Sequence, residues 1–343
     1  LGSGIGNQIW TSVVTRIIAE KLGYKYGIKG KELWKGKGWM PYFWGEEVVG
    51  GTGPDGGPPE TLPEGIRYYY RERQENFNML NQHDLVAQGL TPQDVNPIDH
   101  GLFFLPDNTK LDGSLQNMIY IEDRRDDIRE WLKVDEDKIV REYSADDICV
   151  IHFRGGDYST GHSFLPPEYY QMAMKHMLNG NPNMKFVIVT DDPDLARKHI
   201  PNVEVVGAAI SDEPGGPDYK IGWYQMKGGP LSIDYTILHT AKNVIMSSST
   251  FSFWPVWLST DLNNIIVPMY WFDWKTSNGW WRPIDSIVDE WSYMDRSGML
   301  KSGDDCWQEY REYCRVINPD SSGVVIDYGC LLYTSDAADD LRC

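Results

Sequence analysis

The second half of this sequence predicts a doubly wound α/β domain, and three observations predict it. Short, mostly apolar and β-branched runs recur at residues 148–151, 185–190, 203–206, 244–246 and 265–267. Each reads as a strand buried on both faces, because a strand covered on one face only would alternate apolar with polar residues. Between them lie stretches of helical character, at 166–178, after Pro193, at 233–241 and from Phe251 to Leu258. Strands that alternate with helices belong to a parallel sheet wound on both sides. The pattern starts after Asp146 and Asp147, which puts a domain boundary at 144–147.

The elements follow in chain order. Residues 1–6 are Gly-rich, and Ile9, Trp10, Val13, Val14, Ile17, Ile18 and Leu22 then recur at helical spacing as far as Gly23, a natural stop. A Gly-rich turn ordinarily follows a strand, so the N-terminal domain, 1–146, is expected to lack its first strand. Residues 50–65 (GGTGPDGGPPETLPEG) read as a surface loop. Trp34, Trp39, Trp44 and Tyr68 to Tyr70 surround it. Ile119 to Leu132 reads as a charged helix with one apolar stripe, Ile121, Ile128, Trp131 and Leu132. The second domain runs 147–294. Its strand 185–190 ends in Asp191-Asp192-Pro193, acids and a proline that suit a helix start. Trp271, Trp274, Trp280 and Trp281 follow the last strand and either fill the core or form a partly exposed aromatic wall. Residues 295–329 are an extension. Residues 330–343 resemble translated adaptor sequence or a disordered acidic tail, and carry no chemistry.

Composition narrows the function classes. The chain has 343 residues, about two domains by length. Lys plus Arg number 32 against 50 Asp plus Glu, a net charge of −18, which argues against nucleic acid as the main partner. A small anion needs only a few placed donors and stays open. No window is long and apolar enough for a membrane helix. No leader is visible ahead of Leu1, and a membrane link is expected only through sequence upstream of it. Five Cys without a CxxC pair make neither a disulfide framework nor a zinc site. With no glycosylation sequon, this leans toward a cytoplasmic or membrane-peripheral place, a lumenal one remaining open if an anchor precedes residue 1.

Four constellations could carry chemistry. Gly2-Ser3-Gly4-Ile5-Gly6-Asn7-Gln8 precedes a helix, where backbone N–H groups attract anions, or is a plain tight turn. His152-Phe153-Arg154-Gly155-Gly156-Asp157-Tyr158 follows a strand, and ligands of open α/β sheets sit beyond the carboxyl ends of strands. There Arg154 could grip a phosphate, the two glycines let backbone approach it, and Asp157 could fix Arg154 or accept a proton. Thr190-Asp191-Asp192 could read a ribose or base edge, or cap a helix. Ser247-Ser248-Ser249-Thr250-Phe251-Ser252, between strand and helix, offers hydroxyls and free N–H groups as a phosphate cradle. DxD triplets at 135–137 and 192–194 are what 50 acids produce by chance, so no metal is expected. No GxSxG, HExxH, Walker A or calcium-loop pattern occurs.

The order of these motifs resembles the α-1,2-fucosyltransferases of glycosyltransferase family 11. The family's opening Gly-Leu-Gly-Asn-Gln is similar to Gly4-Ile5-Gly6-Asn7-Gln8, and its Gly-Tyr-x-Gln to Gly113-Ser114-Leu115-Gln116. Its hallmark His-x-Arg-Arg-Gly-Asp-Tyr is similar to residues 152–158, followed by His162 and Tyr169-Tyr170. Its strand ending in Ser-Asp-Asp is similar to Thr190-Asp191-Asp192, and its late helix–strand–helix block to Asp234 through Leu258. Pro268 to Phe272 and Glu290-Trp291 close the resemblance, which spans residues 2–294. Three departures stand out: Gly155 replaces the second hallmark Arg, Ser248 an Asn, and Pro255 a Gly. The related protein O-fucosyltransferases also keep one Arg.

The resemblance implies a GT-B fold, two Rossmann-like domains facing across a cleft. It implies inverting, metal-independent transfer of fucose from GDP-β-L-fucose, a donor substrate and not a cofactor, to a terminal galactose of a glycan. Arg154 and the amides and hydroxyls of Ser249, Thr250 and Ser252 would then stabilise departing GDP. Asp191, with Asp192 beside it, would take the guanine or ribose, and His152 would line the donor site. Asp157 is the candidate base for the acceptor hydroxyl. Gly6, Asn7 and Gln8 would touch the sugar or pyrophosphate from the opposing domain. Two alternatives remain open: a weak or inactive glycan- or nucleotide-binding protein, because of Gly155, or an enzyme using another nucleotide sugar.

Overall fold

The computed structural model describes residues 4–28, 34–36, 38–42, 46–47, 66–72, 99–113, 115–161, 163–210, 219–221, 224–226, 230–271, 274 and 287–309. The 50–65 loop, Trp44, Ser114, His162, Phe272, Trp280, Trp281 and residues 310–343 lie outside the described residues.

The first helix, α1 (Ile5–Lys21), forms where the apolar spacing predicts it. It ends in a Schellman motif. Gly23, at φ 71°, takes the left-handed conformation, and Tyr24 N–H donates to Ala19 O at 2.8 Å. Two short parallel pairs follow. β1 (Gly27–Ile28) pairs with β2 (Glu46–Glu47), and β3 (Tyr68–Arg71) with β4 (Thr109–Asp112). The helix expected over 119–132 is only half formed. Tight 3₁₀ turns occupy Met118–Tyr120 and Glu122–Arg124, and α2 spans Arg125–Trp131. Met118, Tyr120 and Ile121 are all buried, and near-consecutive buried residues do not share one helical stripe.

The doubly wound domain contains β5 (Ile148–Phe153), α3 (Pro167–Gly180), β6 (Lys185–Thr190), α4 (Pro193–His199) and β7 (Glu204–Val206). A hairpin of β8 (Tyr219–Ile221) and β9 (Tyr224–Met226) precedes α5 (Leu231–Thr240) and β10 (Asn243–Ile245). Then come α6 (Thr250–Leu258), β11 (Asn264–Pro268), β12 (Ser292–Met294) and β13 (Leu300–Lys301). The sheet order is β13-β12-β11-β10-β5-β6-β7, parallel except for the antiparallel β13. Counted from β5, the six parallel strands stand in the order 3-2-1-4-5-6, the doubly wound arrangement whose switch point lies between β5 and β10.

Strand alternation sorts the core into two layers. Cys149, Ile151, Phe153, Ile188, Val205, Ile245 and Ile266 pack with Tyr169, Tyr170 and Ala173 of α3 and with Ala196 of α4. Val150, Val187, Val189, Val206, Val244, Ile265 and Val267 pack on the other face with α5, α6 and α1. Trp271 and Trp274 are buried, with Trp274 edge-on to Tyr169 at 5.1 Å, so of the two readings these indoles take the core one. Among the described residues no helix is long and apolar enough to cross a membrane.

Candidate functional site

The candidate residues gather at the carboxyl ends of β5, β6 and β10, around the switch point. β5 runs two residues further than its apolar run suggests, so His152 lies in the strand and is buried. Its Nδ1 meets Ser247 Oγ at 2.7 Å, just past β10, and its ring lies 5.7 Å from Phe251 at the start of α6. Burial, and then the Arg154 charge, push its pKa down to about 3, so the imidazole is neutral.

Arg154 leaves the end of β5 and is held by two carboxylates. Its Nη1 lies 2.6 Å from Asp191 Oδ2 and its Nη2 2.5 Å from Asp157 Oδ1. The guanidinium also lies over Tyr158, 4.9 Å from the ring centroid. Its Nε is buried with no hydrogen-bond partner. Asp191 is nearly enclosed, and burial raises its pKa despite the opposing pull of Arg154. Asp157 is the exposed partner, with 42 % of its side chain accessible.

The two glycines serve Asp191. Gly155 N–H donates to Asp191 Oδ1 at 2.8 Å, and a Cβ on Gly156, which sits at φ 38°, would stand 2.6 Å from Asp191 Oδ2. A Cβ on Gly155 would stand 2.7 Å from Asp192 Cβ. The close backbone approach expected toward a ligand is thus made to a carboxylate of the chain. Asp192 is occupied as the N-cap of α4, its Oδ1 accepting Leu195 N–H at 3.1 Å. Asp194 pairs with Arg197 at 3.3 Å, so this DxD triplet starts a helix. Among the described residues no cluster of three or more His, Cys, Asp or Glu could hold a metal ion.

Across the switch point the hydroxyl run opens α6. Ser249 Oγ caps it by accepting Phe251 N–H at 3.2 Å, and Ser252 Oγ donates to Ser249 O at 3.1 Å. Ser248 is fully enclosed, and its Oγ has no partner. Here the first turn of α1 arrives. Thr250 Oγ donates to Asn7 Oδ1 at 2.7 Å, and Trp254 Nε1 to Gly6 O at 3.1 Å. Gly6 permits this contact, because a Cβ there would stand 2.7 Å from Phe251 N and nearer still to the Thr250 carbonyl. Gln116 Nε2 donates to the same Asn7 oxygen at 3.2 Å. Gln8 is buried and accepts Lys35 N–H at 3.2 Å.

Two further residues were given no role by the sequence. The Lys35 ammonium is held below the ordinary lysine value by burial and then by repulsion from Arg154. Asp234 is buried on α5, and its Oδ1 accepts Ala208 N–H at 2.6 Å. Burial, with Asp191 adding to it, pushes its pKa up to about 7. One acid within the apolar run of α5 was the available signal; for Lys35 there was none.

A cavity of about 670 Å³ lies at the other end of the sheet, where Asn243 and Asn264 begin β10 and β11. Its Arg125 and Arg129 serve structure, their Nε donating to Trp257 O and Leu258 O at the end of α6.

The sequence profile of Glycosyl transferase family 11 matches residues 113–295, more than half of the chain, and includes the loops after β5, β6 and β10. The chain belongs to glycosyl transferase family 11. Among curated proteins it is similar to the O-antigen biosynthesis glycosyltransferase WbnK of Escherichia coli, 27 % identical over 132 residues, which cover 36 % of this chain and 38 % of that protein. It is also similar to an alpha-1,2-colitosyltransferase of Escherichia coli, 22 % identical over 196 residues, 54 % of this chain and 62 % of that protein. The family 11 match thus contains Arg154, Asp157, Asp191 and Ser249, whereas Asn7, Gln8 and Lys35 precede it.

Proposed function

We propose that this chain is an inverting, metal-independent glycosyltransferase that moves fucose from GDP-β-L-fucose to a hydroxyl of a terminal galactose. The proposed architecture is GT-B, with residues 1–146 on the acceptor side and 147–294 holding the nucleotide. One observation carries the reading: a guanidinium, Arg154, sits at the carboxyl end of β5, beside the switch point where α6 also begins.

The chemistry follows from charge. The acceptor oxygen attacks the anomeric carbon from the face opposite GDP. The bond from that carbon to the phosphate oxygen breaks, and its electron pair leaves with the diphosphate. Negative charge therefore grows on GDP, and fixed donors that meet it there lower the barrier. Arg154, with the amides at the start of α6 and the hydroxyls of Ser249, Thr250 and Ser252, supplies those donors. The diphosphate must compete with the carboxylates on Arg154, and the exposed Asp157 is the partner able to give way. The same exposure makes Asp157, and not the enclosed Asp191, the carboxylate an acceptor hydroxyl can reach and pass its proton to. Asp191 and His152 face the nucleoside, while Asn7 and Gln8 approach the sugar from α1.

The test is a calorimetric donor screen with GDP, UDP and CMP, followed by transfer from GDP-fucose to a β-galactoside. GDP is expected to bind preferentially, an α-linked product to form, and EDTA to leave turnover unchanged. Arg154→Ala is expected to lose more than about 10²-fold in rate, the scale of a removed charge-stabilising donor; an unchanged rate overturns the assignment. The colitosyltransferase relative favours a second reading, transfer of a sugar other than fucose, and turnover with that other donor alone would select it.

A further inference from the structure

Beside Gln116 the backbone is held in a costly shape. Leu115 is fully buried and sits at φ 51°, in the left-handed region that a leucine enters only under constraint. Its N–H donates at 2.7 Å to Glu72 Oε2, a buried carboxylate just past β3. Gly113 lies against the same side chain, where a Cβ would stand 2.5 Å from Glu72 Cβ. Thr11 Oγ, on α1, donates to Gly113 O at 3.1 Å. Strain of this kind persists where its surroundings fix it, and the side chain it delivers to α1 is Gln116.

Gln116 Nε2 donates to Asn7 Oδ1 at 3.2 Å, and Thr250 Oγ, in the first turn of α6, donates to the same oxygen at 2.7 Å. Asn7 is thereby fixed through its oxygen, which leaves its Nδ2 amino group to other partners. Among the described residues nothing bonds that amino group, and nothing bonds Gln116 Oε1. Both side chains are half-buried. Two adjacent amides thus offer one donor and one acceptor at the seam of α1 and α6. Turning both amides over exchanges their roles and leaves the same pattern. That pattern selects the ligand. A phosphate oxygen has no proton to give an amide oxygen, whereas a sugar hydroxyl both donates and accepts. Asn7 is one hydrogen bond from Thr250, at the helix start where the proposed function puts the diphosphate. The sugar carried on that diphosphate is the group within reach.

Resting on the nucleotide-sugar reading above, we propose that Gln116 is a specificity-determining residue for the transferred sugar. Its amide and that of Asn7 take the ring hydroxyls of the donor sugar, Asn7 donating and Gln116 accepting. A site built to bond a hydroxyl rejects the sugar that lacks it, because its own polar groups are then left unpaired.

The experiment is calorimetry without acceptor on the full chain, as wild type and as Gln116→Met, a variant of similar length without the amide. The ligands are GDP, GDP-fucose and the 2-, 3- and 4-deoxy analogues of GDP-fucose. Gln116→Met is expected to bind GDP as wild type does and GDP-fucose at least about tenfold more weakly, the scale of a hydrogen bond whose partner is left unpaired. At least one deoxy analogue is expected to bind wild type more weakly than GDP-fucose does, and Gln116→Met equally well. An equal weakening of GDP and GDP-fucose would make Gln116 structural only and overturns the inference, as does an unchanged affinity for GDP-fucose. Either result leaves the nucleotide-sugar reading standing. A wild type that binds another GDP-sugar more tightly than GDP-fucose, with that preference lost in Gln116→Met, overturns the fucose reading and supports Gln116. A wild type that binds neither GDP nor any GDP-sugar overturns both. If ligand-free Gln116→Met melts lower than wild type, Gln116→Ala, which asks less room of its neighbours, gives the same comparison.

Discussion

Asp234 and His152 are both enclosed, and each has the protonation state that burial imposes. The Asp234 carboxyl keeps its proton to about pH 7 when folded, against 3.8 when exposed. Between those values the folded chain holds a proton the unfolded chain has released, so this residue's contribution to stability falls as pH rises from about 4 to 7. The His152 ring titrates near 3 when folded and 6.5 when exposed, so its contribution falls in the other direction, as pH drops from about 6.5 to 3. Asp234→Asn keeps an acceptor for Ala208 N–H and removes the first effect alone. The variant's melting temperature should equal that of wild type near pH 4 and exceed it at pH 7.5, and thermal melts across that range check it. A constant offset at all pH values would mean that Asp234 does not titrate in this window. Arg154, Asp157 and Asp191 were legible in the sequence because each follows a strand end. Asp234 was not, since its meaning comes from what the fold sets beside it, the Ala208 N–H.

The loop after β5 is shaped around a carboxylate, and this decides which substitutions it tolerates. A Cβ at 155 would lie 2.7 Å from Asp192 Cβ, and Asp192 is not free to move because it caps α4. Gly155→Ala should therefore cost about 1–3 kcal/mol, the usual range for overpacking, and denaturant unfolding measures it. Gly155→Arg, which restores the family's hallmark pair, should lower stability further and not raise turnover. A more active, equally stable Gly155→Arg would show that the loop has room the structure does not reveal. At this scale the doubly wound strands were readable because short β-branched runs with no polar alternation suit a strand covered on both faces and little else. Their ends were less so: Phe153 and His152 extend β5 because they pair with Thr190 and Val189, a register no local pattern displays. The ladder of β3 with β4 stayed hidden for the same reason, as it joins Tyr68–Arg71 to residues some forty positions away.

At the scale of the molecule, α1 packs against α6 as closely as residues within one core. Trp10 lies 4.7 Å from Trp254 and 5.1 Å from Phe253, ring centroid to centroid, and all three are essentially inaccessible to solvent. Separating α1 from α6 would expose these rings together with Ile9, Val13 and Val14, so the seam behaves as interior and not as a surface between loosely docked parts. Trp10→Ala should cost about 3–5 kcal/mol, the range for a large aromatic removed from a packed core. Because the same turn holds Asn7 against Thr250 and Gln8 against Lys35, the loss should reach the site as well, weakening GDP more than guanosine. Urea unfolding followed by tryptophan fluorescence and by far-ultraviolet circular dichroism distinguishes the cases. Coincident transitions that shift together in Trp10→Ala fit one core. If fluorescence shifts while the dichroism midpoint stays where it was, the sheet stands without α1.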